Sequence, residues 1–495
     1  MIEENVKIHD NFSAEFKVGF MAEKPDKVSD FALNIWMFIP NGLDINRFTY
    51  SKTNFYRDLK SNIRQITPVW KLESLCDGEK SPYALLLKSL QKFYNQPHEN
   101  GKHDFEFHIK MFQSILKSAL RERVNSISLL DETEQKQTIV LFVENIRSAV
   151  GHYRSLHTDL QRPYLHKALN EYFRFGDEFM SNAIEYQIFR LMEHLRKKSK
   201  NVFDDSKQVL LQLIEDENNY RKANEYLVVE PHAERNNHDL INRLNLLKKY
   251  IDSHLYLNID KRKDGVLMEQ LLFSLAAGLS MIFATAIAFS FQQRYGSFTM
   301  PLFVALVVSY MLKDRIKEMT RYYFAHKMGT RYFDHKATMH INETPIGWAR
   351  ESMDFVNEAQ LPPEVEKVRD RTTLIEAHNR ANSEKVLLYR LRMQLDPVKL
   401  NTNSEFETKG VNSIIRFNFS EFIRNMDNPQ FDLYYPNAEE GFELIEGQKL
   451  YYINLVIEKQ NGPQNEAHRY RIAINRNGIK RIRKFEEGQV LNRIF

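Results

Sequence analysis

Residues 271–291 carry no charged side chain and read LLFSLAAGLSMIFATAIAFSF. An α-helix rises about 1.5 Å per residue, so about 20 apolar residues cross the hydrocarbon core of a bilayer. A second apolar stretch, residues 295–312, reads YGSFTMPLFVALVVSYML and has Pro301 near its start, where proline is tolerated. We predict a two-helix transmembrane hairpin over residues 266–312, with spans at 271–291 and 295–312. The alternative for the second stretch is a buried helix of a soluble domain.

Lysine and arginine residues lie outside the two apolar stretches rather than between them. The basic residues are Lys261, Arg262 and Lys263 before the first stretch, and Lys313, Arg315, Lys317 and Arg321 after the second. The turn between the stretches holds only Arg294. By the positive-inside rule, we expect both flanking regions, and therefore the N- and C-termini, on the cytoplasmic side of a cytoplasmic (inner) membrane.

Small residues recur at every fourth position of the first stretch, at Ala276, Ser280, Ala284 and Ala288. This spacing places them on one side of a helix, where a second helix can approach closely. We predict packing against the other helix of the hairpin, with homo-oligomerisation as the alternative. Neither stretch contains Asp, Glu, Lys, Arg or His, which argues against an ion or proton pathway through the helices.

The composition is that of a folded protein, with 43% hydrophobic and 27% charged residues. A chain of 495 residues is long enough for two or three domains, each with its own core. The net charge of +4 is small, so charge matters only where it clusters. The single cysteine, Cys76, excludes an intramolecular disulfide framework and cysteine-rich zinc sites.

Strand and helix patterns around the hairpin predict an α+β membrane protein. It has a helical cytoplasmic bundle, a two-helix transmembrane hairpin and a β-rich C-terminal domain. The predicted regions are 1–75 (a β-hairpin with a helix), 81–262 (the helical bundle), 313–384 (a basic juxtamembrane helix and linker) and 385–495 (the β-rich cytoplasmic domain). Asn477-Gly478 indicates a tight β-hairpin in the last region. Whether the two β-rich ends share one sheet is left open.

Histidine and carboxylate clusters are the candidates for metal chemistry. They are His103, Asp104, Glu106 and His108; His152, His157, Asp159 and His166; and Glu171, Glu178 and Glu185. Each set also fits a solvated helix face, which is the simpler interpretation, so we expect neither a metal nor a cofactor. No phosphate-binding glycine loop, H-E-x-x-H or G-x-S-x-G motif occurs, and no feature demands catalysis.

Basic residues are the candidates for contact with an anionic lipid or a partner protein. They are Lys313, Arg315, Lys317 and Arg321 after the hairpin, and Arg481, Arg483 and Lys484 near the C-terminus. We do not expect nucleic acid as a partner. The resulting hypothesis is a membrane-anchored interaction or regulatory protein that binds the bilayer and a protein partner. The alternatives are an oligomeric pore-forming or membrane-disrupting effector and a membrane-tethered metal-dependent hydrolase.

Overall fold

The computed structural model is an α+β fold with large antiparallel sheets. It describes residues 5–22, 24, 26–161, 167–328, 333–341, 343–369, 384–402, 405–437, 439–461 and 464–485, with the backbone alone for residues 324–328 and 464. The chain divides into two compact units. The β unit comprises Met1–Ile63, Asn258–Thr402 and Gly410–Phe495, and the helical unit comprises Arg64–Leu257 and Asn403–Lys409.

The described residues contain twelve α-helices and fourteen β-strands. The helices are α1 Lys52–Asp58, α2 Pro82–Asn95, α3 Glu99–Ile127, α4 Glu132–Leu160, α5 Lys167–Lys198, α6 Lys200–Ala223, α7 Glu234–Asp252, α8 Val266–Tyr295, α9 Met300–Met328, α10 Pro363–Arg369, α11 Pro397–Asn401 and α12 Ser420–Ile423. The strands are β1 Asn5–Ile8, β2 Ser13–Met21, β3 Ser29–Ile39, β4 Leu59–Gln65, β5 Asn258–Lys263, β6 His335–Ile341, β7 Thr344–Val356, β8 Lys385–Leu395, β9 Gly410–Asn418, β10 Gln430–Asn437, β11 Gly441–Gln448, β12 Tyr451–Asn461, β13 Gln464–Asn475 and β14 Gly478–Phe485.

The two β-rich ends of the chain share an eight-stranded sheet with the order β14-β13-β12-β3-β8-β7-β6-β5. The N-terminal strand β3 lies in its middle, antiparallel to both β8 and β12. A four-stranded sheet, β1-β2-β9-β4, also combines both ends. The question left open by the sequence is therefore answered: strands hundreds of positions apart form one structure.

The two faces of the eight-stranded sheet differ in chemistry. In β3 the odd-numbered side chains, such as Leu33 and Ile35, are buried, and Phe31 contacts Phe20 of β2 with ring centroids 5.2 Å apart. Phe55 of α1 bridges Tyr389 of β8 and Phe417 of β9 at 5.7 and 5.5 Å. Successive side chains of a strand point to opposite faces, so the even-numbered residues of β3 occupy the other face. That second face carries an apolar patch around Trp36 and Phe38, packed with Val365 of α10, and polar or basic side chains elsewhere.

Within the region that we assigned to a juxtamembrane helix and linker from the sequence, His335–Ile341 and Thr344–Val356 form β6 and β7 of this sheet. Their apolar alternation is weak because the inner face, where Met339 and Met353 are buried, also carries the polar side chains of His335 and Glu351. On the other face Lys336 and Arg350 are directly opposite each other. With polar residues on both faces, the two strands resemble a polar linker when they are read without their neighbours.

The helical unit is built around one apolar core from α2 to α6. Ser81 caps α2 by accepting from the Ala84 N–H, and Pro82 follows at the first helical position. The core contains the stacked rings of Phe112, Tyr153 and Phe173, with centroid separations of 5.6 and 5.0 Å. Such close-packed aromatic layers fix the positions of the polar side chains at their margins.

One helix of the described chain, α8, is long and apolar enough to cross a membrane, and only 17% of its most apolar window is buried. The prediction of a second span at residues 295–312 is not supported. Gly296 and Phe298 adopt positive φ angles in the turn, so α9 begins only at Met300. Its apolar part ends at Leu312, before Lys313, and measures roughly 20 Å.

Candidate functional site

The small-residue stripe of α8 packs against α9. Ala276, Ser280 and Ala284 are buried, whereas Ala288 is half-buried. The Ser309 hydroxyl of α9 donates a hydrogen bond to the Ala284 carbonyl oxygen at 3.2 Å. Three of the four stripe residues are therefore buried in the pair formed by α8 and α9.

The basic residues of α9 lie along the same helix pair. The Lys313 ammonium stands 3.9 Å from the Tyr310 ring centroid, and the Arg321 guanidinium stands 4.6 Å from that of Phe273 on α8. Arg315 is exposed and Lys317 is half-buried. The first of these cations follows directly after the apolar half of α9. Basic residues at such a position can contact anionic lipid headgroups.

The base of the helix pair is fixed to the eight-stranded sheet. Strand β5 leads into α8, β6 follows α9, and the two strands pair from Asn258↔His340 to Lys263↔His335. Glu351 lies on the neighbouring strand β7. Its buried carboxylate accepts a hydrogen bond from the Tyr389 hydroxyl at 2.9 Å and contacts Lys261. His335 Nδ1 lies 3.4 Å from the same carboxylate. Burial alone would raise the pKa of Glu351, but these three donors hold it below its ordinary value.

Arginine side chains concentrate on the polar face of the sheet at β13 and β14. Asn454, Arg471 and Arg483 lie directly opposite one another across β12, β13 and β14. The next pairs along the same face are Ala473 with Arg481 and Arg469 with Phe485. Four arginines from two adjacent strands therefore share one small area.

The guanidinium groups converge on a single aromatic ring. The Cζ atoms of Arg469, Arg471 and Arg483 lie 4.7, 5.2 and 5.1 Å from the Phe485 ring centroid. Burial lowers the pKa of Arg471, and the positive charges of Arg369, Arg483 and Arg481 lower it further. We call Arg471, Arg481 and Arg483 the arginine cluster, with Arg369 and Arg469 beside it.

The structure separates the three C-terminal cations that the sequence analysis grouped together. Arg481 and Arg483 share the polar face, whereas Lys484 points to the opposite face and stands 5.8 Å from the Tyr470 ring centroid. The Arg-x-Arg spacing in β13 and β14 places both arginines of each strand on one face, so Arg469 and Arg471 belong with Arg481 and Arg483 by their sequence pattern. Arg369 of α10 is the neighbour that no pattern around it indicates.

A second polar cluster lies inside the helical unit. Asp177 is fully buried and accepts hydrogen bonds from Arg154 Nε at 3.1 Å, Tyr220 at 2.9 Å and Tyr226 at 3.2 Å. Burial raises the pKa of Asp177 despite these partners. Arg154 also pairs with both carboxylate oxygens of Glu217. Every charged group here has a partner, so the cluster is suited to holding helices together.

A cavity of about 370 Å³ adjoins that cluster and is lined by Arg174, Phe175, Glu178, Tyr226 and Arg243, among others. Arg243 donates to both oxygens of Glu178, with its shortest contact at 2.6 Å. Glu178 is buried, so the interpretation of Glu171, Glu178 and Glu185 as a surface acidic stripe is wrong at this position. Pairing with arginines on α6 and α7 accounts for both Glu178 and Glu185.

The histidine candidates do not form a metal centre in the part of the chain that the structure describes, where no group of three or more suitable ligands occurs. His108 is buried and contacts Asp104 and Glu405 at 3.5 and 3.1 Å. His152 bonds to the carbonyl of Ser148 in its own helix, and His166 lies outside the described residues. Burial raises the pKa of the Cys76 thiol to about 11, which keeps it protonated at neutral pH and unsuited to nucleophilic attack.

These features define an α+β protein with one helix suited to a membrane and an arginine-rich sheet face. No protein-family model, no curated protein and no solved structure matches the chain.

Proposed function

We propose that the protein is a membrane-anchored interaction protein in which α8 holds the chain in the bilayer and the arginine-rich sheet face binds an anionic partner. The observation that carries the proposal is the exposure of α8, since only 17% of its most apolar window is buried. An apolar surface of this extent requires a nonaqueous cover or a partner surface. A helix of 30 residues with this composition is long enough to cross a bilayer, whose hydrocarbon core would cover its apolar surface.

The pairing of β5 with β6 supports a hairpin-like entry into the membrane. Asp264 donates its N–H to the Asp334 carbonyl oxygen at 3.1 Å, so the chain leaves and rejoins the sheet at one place. In this proposal both soluble flanks lie on the same side of the bilayer, so α9 must return the chain beside α8, with Met300–Leu312 as its apolar part. The excess of Lys and Arg around the base favours the cytoplasmic side.

Extraction and labelling test the anchor. After expression in a bacterial host, the protein should remain in the membrane pellet at alkaline pH. Leu279→Arg, on an exposed position of α8, should reduce that fraction, whereas Leu211→Arg, on an exposed position of α6, should not. Wild-type protein released by alkaline carbonate would contradict the anchor.

Sidedness needs a second experiment in a Cys76→Ser background. A cysteine at Ser297, in the turn between α8 and α9, should react with an impermeant maleimide from outside spheroplasts. A cysteine at Ser126, an exposed position near the C-terminal end of α3, should react only after lysis. Labelling of both positions before lysis would contradict the proposed orientation.

A further inference from the structure

The arginine cluster places several positively charged side chains close together on one face of the sheet. Arg471 and Arg483 are directly opposite each other on antiparallel strands, and both guanidinium groups lie within 5.2 Å of the Phe485 ring centroid. Like charges directly opposite destabilise a sheet. Phe485 offsets part of this repulsion, because its ring face attracts cations.

The counter-charges near the cluster are few. Within the described ranges, Arg471, Arg481 and Arg483 make no ion pair with a carboxylate, and Arg471 donates its Nε–H to the neutral amide oxygen of Asn454 at 3.1 Å. Neighbouring Arg369 is buried and already occupied by both oxygens of Glu384, at 2.8 and 3.0 Å. The cluster therefore carries an excess of positive charge and guanidinium N–H groups that can serve an external anion.

We propose that the arginine cluster binds a phosphoryl group carrying two or more negative charges, such as a phosphomonoester or a pyrophosphate. Arginine matches phosphate oxygens with two parallel N–H donors, and such charge-assisted hydrogen bonds are the strong ones. A single carboxylate neutralises only one of the three guanidinium groups, whereas a compact dianion can accept from several. This inference rests on the proposed role of the same sheet face as the surface that binds an anionic partner.

The phosphoryl group can come from a soluble molecule or from a lipid headgroup. Pyrophosphate titrated into detergent-solubilised protein tests the chemistry without any membrane, so its outcome is independent of the anchoring experiments. Protein in nanodiscs with phosphatidic acid, which carries a phosphomonoester, is then compared with protein in phosphatidylglycerol, a phosphodiester. A lower pyrophosphate affinity only with phosphatidic acid identifies the headgroup as the source, and equal affinities identify a soluble ligand.

Single substitutions separate recognition from general attraction. Arg483→Gln should weaken pyrophosphate binding roughly 10- to 100-fold, as expected for the loss of a charge-assisted contact. Arg483→Lys, which keeps the charge but loses the paired donors, should weaken binding several-fold. Lys484→Gln removes the same charge one residue away on the opposite face and should leave binding within about twofold.

Either of two results would overturn the proposal. No heat of binding with wild-type protein, or equal losses for Arg483→Gln and Lys484→Gln, excludes a phosphoryl site at the cluster. Arg483 is exposed and opposes Arg471, so Arg483→Gln should unfold at the same temperature as wild type or a higher one, and thermal unfolding checks this. Continued membrane retention alongside absent pyrophosphate binding would refute this site while leaving the anchor intact.

Discussion

Replacing Arg154 by methionine tests whether buried ion pairs hold the helical unit together. Its Nη1 and Nη2 lie 3.0 and 2.7 Å from the two oxygens of Glu217, and its Nε lies 3.1 Å from Asp177. The guanidinium also stacks on Tyr220, with its Cζ 3.3 Å from the ring centroid. Methionine retains much of the packing volume but leaves two nearly inaccessible carboxylates without their cation.

The expected loss of stability comes from the carboxylates of Asp177 and Glu217, which stay buried without their cation. Removing one partner from a buried ion pair costs about 3–5 kcal/mol in the free energy of unfolding, because an uncompensated charge remains inside. Burial raises the pKa of Asp177, and the Arg154 charge opposes that rise. An acid whose folded-state pKa is raised favours folding at low pH and loses that contribution as pH rises through the pKa. The defect of Arg154→Met should therefore be smaller at pH 5 than at pH 8.

Hydrogen exchange read by mass spectrometry measures this in the intact protein in detergent. Amides of α4, α5 and α6 that exchange only when the helical unit opens should exchange roughly 150- to 5,000-fold faster at pH 8. Arg147→Met is the matched control, since Arg147 lies on the same helix and pairs with Asp216 across a half-exposed 3.5 Å contact. Such surface pairs contribute about 0–1 kcal/mol. An acceleration below tenfold, or one equal to that of Arg147→Met, would refute the reasoning.

Three further substitutions test the β unit, the helix pair and a buried histidine. Glu351→Gln should remove a stabilisation that is present above the ordinary glutamate pKa and lost as pH falls through the depressed folded-state pKa, so the acid-unfolding curves of variant and wild type should converge at low pH. Ala284→Leu should separate α8 from α9 and expose their contact to protease, whereas Ala286→Leu, on an exposed position, should not; equal digestion would contradict the packing. Burial lowers the pKa of His254 to about 4, so wild type should lose stability as pH falls from about 6.5 to about 4. His254→Leu should lose about 3 kcal/mol less over that range, and parallel pH profiles of unfolding would show that His254 is protonated without cost.

The sequence was sufficient for features that depend on local pattern. The apolar stretch at residues 271–291 lies within α8, and α2 begins at Pro82 directly after Ser81, two residue types that favour the start of a helix. The second span was overestimated because apolar composition does not reveal that the turn continues to Thr299. Phe298 in this turn has a φ of 64°, a left-handed conformation that its residue type does not indicate.

The arginine-rich face could be predicted only in part. Arg481 and Arg483 were candidates because they are close in sequence, but Lys484 was grouped with them although a strand places it on the other side. Arg471 reaches the site through the Asn477-Gly478 hairpin, which the sequence indicates, whereas Arg369 reaches it through α10, which no local pattern encodes. The same reason hides Glu351, whose partners come from β5, β6 and β8.

The position of β3 in the middle of the large sheet has a consequence for synthesis on the ribosome. Trp36 on β3 donates its indole N–H to Glu458 on β12, 422 positions later, at 2.6 Å. At a translation rate of about 5–20 residues per second, β3 waits roughly 20–80 s for that neighbour. Nearly all of the helical unit and α8 emerge during this delay, so bundle folding and membrane insertion can precede closure of the sheet. Until β8 and β12 emerge, the apolar strand β3 lacks both of its neighbours in the large sheet, so this is the stage at which the chain is most exposed to aggregation.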